Sequence, residues 1–335
     1  MPFKRRVVAQ SGIAATILAV GLSGLVLTAA PAGAAGTGQI FVSNEGSKEV
    51  IVLSPKDYSR VKTIRTSRRP RDMKFNADHT LLYVACGDDD VIDVIDVAKL
   101  TVVDHIPTGP SPEMFELSAD NKLIYVSNEE NSTVQVISIA DKVIRHEIGT
   151  GAEPEGIMVS EDGKTIYATS EIADMVHVID PEDEVTIDNI VVGTRPRRFI
   201  MTREELWVTD ELSSDVSVID RKTNTVKTVI HFAPPGFRAV DVTPVGITMT
   251  KDGKTAYVTL GHANHVAFVD IPTKAIRSYV LTGSRPWGVD LSSDEKILFV
   301  ANGLSDDISI VDVASGKNQK SIPVGRTPHT IVVDD

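Results

Sequence analysis

One cysteine, Cys86, stands in the 335-residue chain, so no intramolecular disulfide can form and stability has to come from packing. Basic residues are in deficit: Lys and Arg number 34 against 46 Asp and Glu. Setting aside Lys4, Arg5 and Arg6 of the N-terminal leader leaves 31 against 46. A nucleic-acid partner would need a basic stripe, and this balance argues against one. Signatures of covalent, nucleotide and haem chemistry are missing too. No Gly-x-Ser-x-Gly elbow, phosphate-cradling glycine-rich loop or Cys-x-x-Cys-His site occurs. Cys86 ends a strand-like run with no base positioned beside it, which reads as a partly buried, inert thiol. No cofactor and no resident metal are expected.

A long apolar run is present at Ile13–Ala30, between Lys4-Arg5-Arg6 and the small residues Pro31–Ala35. That order makes residues 1–35 a secretory signal peptide, cut after Ala34 or Ala35. The alternative is an uncleaved anchor, because the run approaches the length of a membrane span. Arg5-Arg6 points weakly to twin-arginine export. Without a cysteine near the cut, a lipid anchor is not expected. Residues 36–335 are then one exported domain, periplasmic or extracellular and monomeric.

What fills that domain is a repeat. Pro70, Pro112, Pro154, Pro196, Pro244, Pro286 and Pro328 are spaced by 42, 42, 42, 48, 42 and 42 residues. A second ruler ends each Val/Ile run: Ser54, Asp96, Ser138, Asp180, Asp220, Asp270 and Asp312. A period of this size with four short strands per unit marks a β-propeller blade. In one unit the strands are Gly156–Val159, Thr165–Thr169, Met175–Asp180 and Val185–Val192, with a hairpin at Glu161–Lys164. Residues 39–65 supply only three strands, and His329–Val333 supplies the fourth. The fold class is therefore all-β, a seven-bladed propeller whose two termini share one blade and close the ring, removing sheet edges.

Blade 5 breaks the period twice. Its first hairpin, Thr202–Glu205, is two residues short and lacks the Asp-Gly turn. Its last connection carries eight extra residues within His231–Asp241, including Phe237 and Arg238. Such an insertion is either a tolerated surface bulge or a binding loop.

Chain direction puts the proline loops and the loops between second and third strands on one face, and the Asp-Gly hairpins on the other. The residues after the prolines then form a ring at one channel mouth: Arg71, Glu113, Glu155, Arg197, Val245, Trp287 and His329. Arg69, Arg195, Arg198 and Arg285 enrich it. Trp and Arg are favoured anchors and a mouth is concave, so the candidate partner face is Arg71, Glu113, Glu155, Arg197, Phe237, Arg238, Arg285, Trp287 and His329. The competing expectation is that Arg71 pairs with Glu113, and Glu155 with Arg197, across neighbouring blades. His262 and His265 share a loop near His329, but they read as solvated turn histidines. Asp88-Asp89-Asp90 lacks the ligand spacing of a known Ca²⁺ loop.

The motifs Tyr125-Val126-Ser127-Asn128, Tyr257-Val258-Thr259 and Phe299-Val300-Ala301-Asn302 precede Val/Ile-Asp strands. They resemble the YVTN-type β-propeller family over residues 39–333. Irregular segments narrow the resemblance to propellers associated with PQQ-dependent catabolism. These are Ile40–Glu45, Gly87–Asp96, Pro154-Glu155-Gly156, Ser170-Glu171, Met175-Val176-His177, Val242–Ile247 and Ser321–Arg326. That resemblance implies an exported accessory protein beside quinoprotein dehydrogenases, c-type cytochromes and an export-linked ABC transporter. A quinoprotein dehydrogenase or cytochrome c is then the implied partner. It does not imply a quinoprotein. Those enzymes have eight larger blades with tryptophan docking motifs, and this chain has only Trp207 and Trp287. It supplies no catalytic residues either. The leading expectation is a non-enzymatic binding or scaffold protein. Its rivals are a cell-surface adhesion or structural module and a lactonase-like hydrolase, in which Glu155, Asn128 and Glu171 would be the nearest metal ligands.

Overall fold

Four-residue turns and strands of five to seven residues alternate along the chain, and the computed structural model resolves them into seven antiparallel sheets of four strands. It describes residues 1–2 and 36–334; the expected leader, apart from residues 1–2, lies outside them. Among the described residues no helix is long and apolar enough to cross a membrane. Numbered around the ring, blades 2 to 7 begin at Pro70, Pro112, Pro154, Pro196, Pro244 and Pro286.

Blade 1 is the shared one. Its strands run in the order Pro328–Asp334, Gln39–Asn44, Glu49–Leu53 and Arg60–Arg65, so the last strand lies innermost beside the first. Phe41 pairs with Val332 and Ile40 with Val333. Thr37 N–H donates to the Asp334 carboxylate at 2.7 Å, which ties the segment before the first strand to the closing strand.

Burial follows radius. The two middle strands of each blade are apolar on both faces and almost wholly buried, as in Val134–Ser138 and Ile124–Asn128, because a blade lies on each side of them. The outermost strand, such as Val143–Gly149, exposes all but one residue. The core is accordingly seven apolar layers, one between each pair of neighbours. Phe41, Val50 and Val52 of blade 1, for example, pack on Leu82, Val84 and Cys86 of blade 2. Trp207 is fully buried in the blade 5–6 layer. Cys86 is fully buried as well, and burial pushes its thiol up, out of the reactive range.

Each innermost strand carries the same bulge directly after its proline. Pro112 pairs with Asn128 and Phe115 with Val126, so Glu113 and Met114 face the single residue Ser127. The Ser127 hydroxyl fills the bulge. It accepts from Met114 N–H at 3.1 Å and donates to the Glu155 carbonyl of the next blade. Thr209 and Thr259 repeat this, reaching the Val245 and Trp287 carbonyls at 2.7 and 2.9 Å. Ser43 and Thr169 do the same toward Arg71 and Arg197. The third letter of the YVTN-like motif is thus a blade-to-blade staple in five blades, a bond of about 1 kcal/mol net apiece, while blades 2 and 7 carry Ala85 and Ala301 there. Gly156 and Gly246 sit at the same contact; a Cβ on either would come within 1.9 Å of the next blade's carbonyl oxygen.

Candidate functional site

The residues before the seven prolines all adopt positive φ, from 47° at Thr243 to 60° at Arg195. That left-handed turn throws Arg69, Arg195 and Arg285 over the channel mouth, while the bulge tucks the residue after each proline inward. The expected ring therefore forms, but it lies deeper than a docking face. Arg71, Glu113, Glu155, Arg197, Val245 and His329 are all buried, and Trp287 is half-buried.

Their charges are spent on one another. Arg71 pairs with Glu113, and its Nε lies 3.1 Å from Glu45. Arg69 reaches Glu113 at 2.7 Å. Arg197 holds Glu155 at 2.7 Å and also pairs with Glu171. Arg195 spans Glu171 at 2.5 Å and Glu211 at 3.5 Å, and Arg285 takes Glu211 at 2.8 Å. Both cross-blade pairs foreseen from sequence, Arg71–Glu113 and Glu155–Arg197, are present.

Other contacts cross the bore. Arg198 of blade 5 reaches His329 of blade 1, Nη2 to Nε2 at 3.2 Å, and Arg71 Nε approaches the same nitrogen at 3.2 Å. His329 Nδ1 lies 3.0 Å from the Thr330 hydroxyl. Burial, reinforced by Arg71, Arg198 and Arg197, holds His329 well below the usual histidine range. The ring is therefore neutral, with Nε2 accepting from the arginines and Nδ1 carrying the hydrogen. The Arg197 and Arg285 guanidinium carbons lie 5.2 and 4.8 Å from the Trp287 ring centroid. Side chains bridge this mouth from wall to wall.

Two acid pairs hold protons near this face. Burial and the charge of Glu155 raise Glu171; burial opposes ionisation of Glu155 too, but Arg197, the Glu171 hydrogen bond, Arg71 and Arg198 together lower it. The two carboxyls share one proton. In blade 5, burial is opposed by Ser217 and reinforced by Asp215, and the net effect pushes Asp210 up to about 8. Burial raises Asp215 as well. Glu113 is pushed up to about 8 by burial, against the pull of Arg71. Among the described residues Arg198 has no carboxylate within ion-pair distance and its Nε lacks a partner, and burial lowers it.

The remaining candidates lie apart. Phe237 and Arg238 are exposed on the insertion; Phe237 sits edge-on to His265 at 5.6 Å and Arg238 binds Asp241 at 2.7 Å. Glu155 and Glu171 are both engaged by Arg197, and the Asn128 side-chain Oδ1 accepts from Asn131 N–H at 3.2 Å. Among the described residues no group of three or more His, Cys, Asp or Glu is arranged to hold a metal. Sequence inspection missed the Ser/Thr staples and the Asp210–Asp215 pair. The signal for the pair was present: blade 5 has Asp210 where blades 1, 3 and 7 have Asn44, Asn128 and Asn302.

Seven four-stranded blades around a mouth closed by paired side chains define a seven-bladed β-propeller. The choice-of-anchor I domain model matches residues 130–304, more than half of the chain, and the chain belongs to that family. A YNCE-like beta-propeller model matches residues 26–163. No curated protein matches. Among solved structures, the chain is similar to Kuenenia stuttgartiensis hydrazine synthase, with 20% identity, a TM-score of 0.76, and 88% of this chain and 99% of that chain covered. The Pseudomonas aeruginosa periplasmic gluconolactonase PpgL gives 22% identity, a TM-score of 0.74 and coverage of 88% and 98%. The dihydro-heme d1 dehydrogenase NirN gives 14%, 0.68, and coverage of 89% and 76%. At these identities the likeness is one of fold.

Proposed function

We propose that this chain is an exported, non-enzymatic binding propeller that meets a protein partner across its proline-loop face. The observation that carries this is the closed mouth: Arg198 reaching His329, and Arg197 reaching Trp287, fill the bore with side chains that engage one another across it. A filled bore leaves the rim as the contact surface, and a rim is met by another surface. The resemblance of the irregular segments supports a setting in periplasmic PQQ-dependent alcohol oxidation, with a quinoprotein dehydrogenase or cytochrome c as partner. Passing the native host's exported fraction over immobilised mature chain tests this. A partner retained by wild type should be lost with Arg195→Ala/Trp287→Ala, which alters half-exposed rim residues and leaves Arg197 in place. Equal recovery by both forms would contradict it.

The Glu155–Glu171 pair favours one second reading. A proton-sharing carboxyl pair beside arginines is a possible acid–base unit, and a lactonase has this fold. Turnover of simple lactones that falls about a hundredfold in Glu171→Gln would replace the binding reading with this one.

A further inference from the structure

The seven loops joining second and third strands share one backbone. In each, the fourth residue has positive φ, between 53° at Asp174 and 62° at Ser214. The second residue is pinned in most of them: Gly46, Leu212 and Leu304 N–H each donate to a proline-loop carbonyl at 3.0 Å, and Ile172 does so at 3.3 Å. That residue is Gly46, Asp88, Glu130, Ile172, Leu212, His262 and Leu304 around the ring. With the backbone held constant, folding requires no particular side chain there. Yet blades 1 to 3 present Gly, Asp and Glu, whereas blades 4, 5 and 7 present large apolar groups.

Those groups are bare. Ile172, Leu212 and Leu304 are 65%, 56% and 74% exposed, and Val240 on the insertion is 68% exposed. They are also linked in space. Arg195 touches Glu171 and Glu211, the residues preceding Ile172 and Leu212. Ser214, two residues beyond Leu212, donates to the Ala239 carbonyl beside Val240. An apolar crescent therefore runs over blades 4 and 5 and the insertion and resumes at blade 7, held on preformed turns. Exposed apolar side chains gathered on one face mark an interaction site. The opposite part of the rim is acidic: Asp88 and Glu130 are exposed, with Asp89, Asp90 and Glu129 beside them, and Arg68, Arg69, Lys48 and the buried Arg71 in opposition.

We infer that this rim docks a partner protein presenting an apolar strip bordered by lysine or arginine side chains, the strip on the Ile172–Leu212–Leu304 crescent and the cations on the Asp88–Glu130 arc. This rests on the proline-loop face being the working face. Charge complementarity decides the partner's sign, and the crescent decides that charge alone is insufficient.

The probe is a short amphipathic leucine–lysine peptide, with a serine–lysine peptide of the same charge as control, titrated into the mature chain. Wild type should bind the leucine peptide about tenfold or more tightly than the serine peptide, the scale expected for covering several apolar side chains. Ile172→Ser/Leu212→Ser/Leu304→Ser should erase that difference without changing the thermal transition. Asp88→Asn/Glu130→Gln should weaken both peptides and flatten the salt dependence. Equal binding of the two peptides to wild type, or no binding, overturns the inference. If the crescent variants bind normally but Arg195→Ala/Trp287→Ala does not, the face stands and the crescent fails. If only Glu161→Gln/Asp162→Asn on the hairpin face weakens binding, the reading of the face fails.

Discussion

Arg197→Met should cost about 3–5 kcal/mol of folding stability, whereas Arg198→Met, one residue on, should be near neutral or stabilising. Both guanidiniums are buried and sit on the same bulge, but their partners differ. Removing Arg197 strands Glu155 and Glu171, two buried carboxyls that it holds together. Breaking such a cluster leaves charge that low-dielectric surroundings cannot compensate. Among the described residues Arg198 has only His329 as a side-chain partner for its guanidinium, and His329 keeps its contact with Arg71 when Arg198 is gone. Its removal relieves a desolvated cation that no carboxylate contacts. Urea unfolding of the two variants at neutral pH reads the difference. Equal losses would mean that Arg198 is paired as well as Arg197, contrary to the contacts described.

The second large effect is a gain. Asp210→Asn should stabilise the protein by a few kcal/mol at about pH 9 and flatten its response to pH. Asp210 accepts from Ser217 N–H and Oγ at 3.1 and 2.6 Å and shares a hydrogen bond with Asp215. Unfolded, its carboxyl titrates near 4; folded, it is pushed up to about 8. Between those values the folded state binds the extra proton, so this pair makes stability fall as pH rises through the window and restores it as pH drops. Blade 7 shows the arrangement without the titration. There Asn302 Nδ2 donates to Asp307 at 2.7 Å and to the Ser309 hydroxyl at 3.0 Å. Asn at 210 would supply the same donor to Asp215 at every pH. Unfolding followed from pH 5 to 9 should give curves that diverge upward in pH; parallel curves would show that Asp210 titrates normally.

The ring itself was legible because each blade is written locally. The proline ruler, the Val/Ile-Asp ends and the Asp-Gly turns fix strands and spacing, and the three-strand start at Gln39 announces the closing strand at Pro328. Topology alone also brought Arg71, Glu113, Glu155, Arg197, Trp287 and His329 to one mouth. Their depth was not legible. It depends on a bulge opposite Ser127 and its equivalents, which turns the residue after each proline inward, and an alternating pattern over so few residues does not record such a slip. The length of Arg198, long enough to cross the bore, is likewise a property of the closed ring. Ile172, Leu212 and Leu304 were visible as letters, but only equal backbone geometry in all seven loops shows that their apolar character is not demanded by folding.

With the bore filled, contact with a partner is made on the rim of the proline-loop face. Placing a photo-cross-linking amino acid at Leu212 and, separately, at Glu161 on the hairpin face, with expression in the native host, tests it most directly. Irradiation should give a discrete adduct from position 212 and none from 161; an adduct from 161 with none from 212 would contradict the account.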